Sequence, residues 1–73
     1  MTTNTASRID SRLLLELWNR QTAEALRVRS RERLQLVNEC IEAAAPTLDG
    51  RARVRALALV ARVQAGLRYL DAA

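Results

Sequence analysis

From Ser7 to Ala44 the chain contains neither glycine nor proline, and its only cluster of helix-breaking residues follows at once, in Pro46-Thr47-Leu48-Asp49-Gly50. Proline has no amide hydrogen to give a helix, aspartate can cap a new one, and glycine gives the backbone freedom between them. Elsewhere Ala, Leu, Arg and Glu dominate, all strong helix formers. This pattern predicts an all-α fold built on a helical hairpin. A tail at residues 1–6 is expected to be disordered, a first helix to cover 7–44, a turn 45–50, and a second helix 50–71, all in one small domain. Ser7 and Asp10 have the spacing of a capping box, which places the first helix start at Ser7.

Helical periodicity divides the first segment. Leu13, Leu14, Leu17 and Trp18, joined by Ala25, share one arc that Gln21 interrupts; Ala23, Leu26, Ser30, Leu34, Val37, Ile41 and Ala44 share another, roughly opposite. The buried side therefore changes along the segment, and the change falls where Arg27, Arg29, Arg31 and Arg33 alternate with other residues. Charge at every second position points all around a helix, so a bend or a break is expected near 27–33.

Length points the same way. A second helix folding back from the turn ends opposite about Glu24, which leaves Ser7 to Ala23 as an overhang of roughly 25 Å at 1.5 Å per residue. An apolar stripe on such an overhang either folds back as a third helix or meets another chain. The closed form is then a three-helix bundle or a four-helix dimer. Leu13, Leu14, Leu17 and Trp18 are read as partner-binding, with Trp18 as the anchor because tryptophan is over-represented at binding hot spots. In the second helix Ala56, Leu59, Val60, Val63, Leu67 and Leu70 form the face toward the first, while Val54, Leu57 and Ala61 lie on another side. That apolar surface is wider than one partner helix needs. Gly66, inside this helix, costs about 1 kcal/mol against alanine unless it marks a close helix crossing.

Composition excludes several kinds of chemistry. There is no histidine and a single cysteine, Cys40, so neither a metal site nor an internal disulfide is expected. Cys40 is read as a small packed hydrophobe flanking the second arc. No phosphate loop or nucleophile motif is present, and the expectation is a non-enzymatic chain with no cofactor and no small-molecule substrate. Residues 1–7 show no signal sequence and no later stretch reaches membrane-spanning length, so a cytoplasmic location is expected.

The net charge is +4, and all twelve basic residues are arginine, a bias that GC-rich coding explains as well as a need for guanidinium chemistry does. Arg27, Arg29, Arg31 and Arg33 are read as partner-binding, a docking patch for an acidic protein surface, with a nucleic-acid contact or a solvated hinge as the alternatives that local charge does not separate. Arg51, Arg55 and Arg62, with Tyr69 further along, line one side of the second helix and supply the alternative reading, a dimeric hairpin that binds nucleic acid. A further alternative is a membrane-surface binder using Leu13 to Trp18, which the neighbouring acids Asp10, Glu16 and Glu24 oppose.

Residues Leu34 to Leu70 resemble in passing the small helical-hairpin co-chaperones that hold type III secretion needle subunits. The likeness lies in Asn38-Glu39-Cys40 ahead of the turn and Gly66-Leu67 near the end of the second helix; it covers about half of the chain, and no family is assigned on it. Size and composition equally match a short phage-encoded inhibitor of a host protein. The expected function is that of a regulator, inhibitor, adaptor or co-chaperone that binds a larger protein, its own copy, or both.

Overall fold

The computed structural model describes residues 10–72, which form an all-α fold of three helices: α1 (Ser11–Arg27), α2 (Arg31–Ala44) and α3 (Gly50–Ala72). A 3-10 turn, Ala45–Thr47, joins α2 to α3, with Pro46 in its first turn. Each helix packs on the other two, α2 and α3 most extensively. The first segment is therefore broken, and α1 returns along the α2–α3 hairpin. This corrects the overhang: the stretch expected to lie beyond the hairpin is its third helix.

The break has a definite mechanism. The Ser30 amide donates to the Ala25 carbonyl at 2.9 Å and the Arg29 amide to the Leu26 carbonyl at 3.1 Å, the paired bonds of a Schellman ending that satisfy the last carbonyls of α1. Arg29 takes the left-handed conformation this ending requires, with φ at 56°. Ser30, whose amide closes α1, then opens α2: its hydroxyl accepts the Arg33 amide at 3.2 Å. Two helix ends thus share one residue, and the apolar arcs of the two segments can differ because the chain turns between them.

The other helix starts are capped in the same way. Asp10 is extended and accepts the Arg12 amide at 3.0 Å, so it is the cap of a helix beginning at Ser11 and not a residue inside one; Ser7 lies outside the described residues. Asp49 accepts the Ala52 amide at 2.9 Å, as its place ahead of Gly50 predicts.

The core is one cluster. Leu34, Ile41 and Val63 are fully buried, with Val37 from α2 and Ala56 and Val60 from α3 around them. The expected hairpin contact surface therefore lies inside, with Leu67 packed at its edge. Gly66 is buried where α1 and α2 cross α3: a Cβ there would stand 2.8 Å from Leu26 Cδ2 and 3.4 Å from Leu34 Cδ1. The glycine marks a close crossing.

From α1 the core takes Trp18, Thr22 and Ala25, with Leu14 and Leu15 packed against them. The buried face is thus rotated from the arc expected on periodicity: Leu15 and Thr22 are in, while Leu13, Leu17 and, from the second arc, Ala23 are out. A threonine can sit on this face because its hydroxyl donates to the Trp18 carbonyl at 2.8 Å, so that its own buried polar atom has a partner.

Candidate functional site

The four residues expected to anchor a partner separate into two pairs. Trp18 is 4% exposed and belongs to the core, and Leu14 is half-buried against it. The expectation that Trp18 lies against another chain is corrected: its ring already has neighbours in its own chain. Leu13 and Leu17, one turn apart and so neighbours on one side of the helix, stand 62% and 42% exposed.

Continuing along α1 on the same side come Gln21 and Glu24, which with Arg20 form one wall of a groove of about 480 Å³ between α1 and α2. The opposite wall is Arg33, Leu36, Val37 and Cys40. Leu36 is 61% exposed and was not singled out by sequence, because it falls outside the Leu34–Val37–Ile41 arc; an off-arc leucine is itself the signal. Cys40 is exposed and not packed inside, since its position faces this groove and not α3. The groove has an apolar α2 wall and charged groups at its rim. It can receive an apolar side chain and orient its surroundings by hydrogen bonds.

The arginines expected to form one docking patch are dispersed by the corner that they flank. Arg27 pairs with Glu24 at 2.6 Å and Arg31 with Asp71, at the far end of α3, at 2.7 Å. Arg29 occupies the left-handed corner position, and Arg33 lines the groove. The hydrogen bond from Arg27 holds the Glu24 carboxyl below its usual range, and that from Arg31 does the same for Asp71. Two of the four guanidinium groups are therefore engaged within the fold, Arg27 inside α1 and Arg31 across to the end of α3.

On α3, Arg51, Arg55, Arg62 and Tyr69 are all exposed. Arg51 and Arg55 share a second groove, about 240 Å³, with Arg12 of α1 and the acid Asp49. Arg62 reaches across to Asn19 of α1 and donates to its side-chain carbonyl, so it is tethered away from the other two. Tyr69 is 60% exposed, two helical turns from Arg62.

Among the described residues no group of three or more His, Cys, Asp or Glu converges as a metal site would require, and no helix is long and apolar enough to cross a membrane. Comparison of the chain with protein-family models, with curated proteins and with solved structures finds no match.

Proposed function

We propose that this chain is a non-enzymatic protein-binding module, a regulator, inhibitor or adaptor that docks on a larger protein through its α1–α2 face. Leu13, Leu17 and Leu36 form the apolar part of that surface, and Arg20, Glu24 and Arg33 form its polar rim. The observation that carries the reading is the exposure of Leu13 and Leu36, each above 60%, beside an open groove. Burying such a leucine in a partner is worth about 1.5–3 kcal/mol per side chain, and nothing in the chain's own core claims them. Trp18, buried in the core, is not taken as a contact.

The test is retention of a protein from a native lysate on the immobilised chain, with and without nuclease, beside the variant Leu13→Glu/Leu17→Glu. A stoichiometric protein partner that survives nuclease and is lost from the variant is the expected result. Retention unchanged in the variant would remove this face from the function.

A second reading, nucleic-acid binding, draws on one observation: Arg12, Arg51 and Arg55 line a single groove. It requires nuclease-sensitive retention and an affinity that falls steeply with salt.

A further inference from the structure

Helix α3 is apolar on two opposite sides. Ala52, Ala56, Val60, Val63 and Gly66 face the core. At 100° per residue, Val54, Leu57, Ala58, Ala61 and Ala65 fall on the side pointing away from it, and all five are exposed. Val54 is 67% and Leu57 54% exposed. Apolar sides of a helix are ordinarily buried, and here one long side is exposed with respect to the described residues.

Charge identifies what would cover that side. Between Gly50 and Ala72 the sequence has five arginines and one acid, Asp71, a net +4; the other seven arginines of the chain are matched by seven acids. The whole net charge of the protein therefore lies on α3. At about 100° per residue Arg51, Arg55 and Arg62 fall along one border of the outer apolar strip, Arg53 on the other, and Arg68 within the strip near its C-terminal end. Arg62 is tethered to Asn19 of α1 and Arg53 to the Pro46 and Leu48 carbonyls, which leaves Arg51, Arg55 and Arg68 as the cations facing a ligand. Among the described residues the ion pairs are Glu24–Arg27 and Arg31–Asp71, so none of these five is neutralised, and the one acid of α3 is already engaged by α2.

We propose that the outer face of α3 is a docking site for an acidic amphipathic helix of a partner protein, with an apolar stripe lying on Val54, Leu57 and Ala61 and carboxylates reaching Arg51 and Arg55 along one border and Arg68 at the C-terminal end. The proposal rests on the reading of the chain as a protein-binding module and adds a second surface with a defined ligand chemistry. Ala58, Ala61 and Ala65 leave the backbone open to close approach, which suits a packed helix. A second copy of the chain is the poorer occupant, because two such faces would set arginines against arginines with no free acid to relieve them. Nucleic acid is poorer as well, since the centre of the strip is aliphatic and gives a phosphate backbone nothing to bond.

The test is a titration of the full-length isotope-labelled chain with a synthetic helical peptide of about 20 residues, a length matching α3, carrying leucines on one side and glutamates on its borders. A control peptide has lysine at each glutamate. The glutamate peptide is expected to shift the amides of Val54, Leu57, Ala61 and Ala65, and the lysine peptide to leave them unchanged. Arg55→Glu/Arg68→Glu should weaken the glutamate peptide at least tenfold and admit the lysine peptide, and Ala61→Glu should abolish binding of both. Shifts confined to Leu13, Leu17 and the α1–α2 groove would overturn the α3 assignment while leaving the protein-binding reading intact. Equal binding of both peptides, binding of neither, α3 shifts produced only by a duplex oligonucleotide, or a ligand-free dimer closed through α3 would each overturn it too. The α1–α2 reading stands or falls on its own retention assay.

Discussion

Helices α1 and α3 both have more apolar side chains than one core can use, and they dispose of the surplus differently. In α1 the surplus is two leucines, Leu13 and Leu17, placed beside a half-open groove, while Trp18, Thr22 and Ala25 fill the interior. In α3 it is a full second side, bordered by arginines along its length. An exposed leucine gains meaning from its borders. Charge around Leu17 is mixed, whereas charge around Ala61 has a single sign, which is what the proposed acidic ligand draws on.

The largest effect is expected at the α1 boundary between inside and outside. Trp18→Ala is expected to cost about 3–5 kcal/mol, enough to unfold a chain whose small core supplies about that much in all. Leu17→Ala, at the adjacent position, should stay within about 0.5 kcal/mol in the same chemical denaturation series. Equal losses at both positions would mean that the two sides of α1 are not distinct.

A smaller effect tests the corner that allows α1 to fold back. Ser30→Ala removes the cap of α2 and should cost about 1 kcal/mol. Arg29→Gly places in the left-handed position the residue that adopts it without steric cost, and should raise stability by up to about 1 kcal/mol. Thermal unfolding measures both, and a destabilising Arg29→Gly would argue against the corner geometry.

Gly66 sharpens the α3 side. Its replacement by alanine gains about 1 kcal/mol of helix propensity but drives a methyl group to 2.8 Å from the terminal Cδ2 of Leu26, which must rotate aside. The two effects should nearly cancel, while Gly66→Leu, which overfills the crossing, should cost about 1–3 kcal/mol. A freely tolerated leucine would show that the helices do not cross closely there.

The weakest effect is electrostatic. Asp71 and Glu24 have their carboxyl pKa lowered by arginine partners, so their stabilising contribution is present above the unfolded values near pH 4 and is lost as pH falls through the lower folded values. Melting temperature should therefore drop on acidification, with a shallower slope in Asp71→Asn at low salt. Because both pairs are exposed, added salt should erase most of the difference.

Much of this fold was legible before any coordinates. Pro46 to Gly50 named the turn, and the reversal of apolar face with Arg27 to Arg33 between the arcs named the break. Leu34, Val37 and Ile41 named the hairpin core. What periodicity could not give was the rotation of α1. Leu13, Leu14, Leu15 and Leu17 cover so much of the circumference that several orientations bury three apolar residues, and Trp18 together with the Thr22 back-bond decides among them. The site was harder to read for a related reason. An arginine run looks like a patch until the chain turns within it, and here the turn sends Arg27 to its own helix and Arg31 to the end of α3. Leu36 escaped notice because exposure off a regular arc depends on the neighbour that is not there.

Trp18 is buried by its own chain, while Leu13 and Leu17 remain exposed. Trp18 is the only tryptophan, so its fluorescence reports on that burial alone. Emission and acrylamide quenching are to be measured from micromolar concentration downward, in the native chain and in Leu13→Glu/Leu17→Glu. The expected result is blue-shifted, protected emission that is the same at every dilution and in both proteins. Emission that moves to the red on dilution, or in the leucine variant, would contradict it, because the indole would then owe its burial to a second chain.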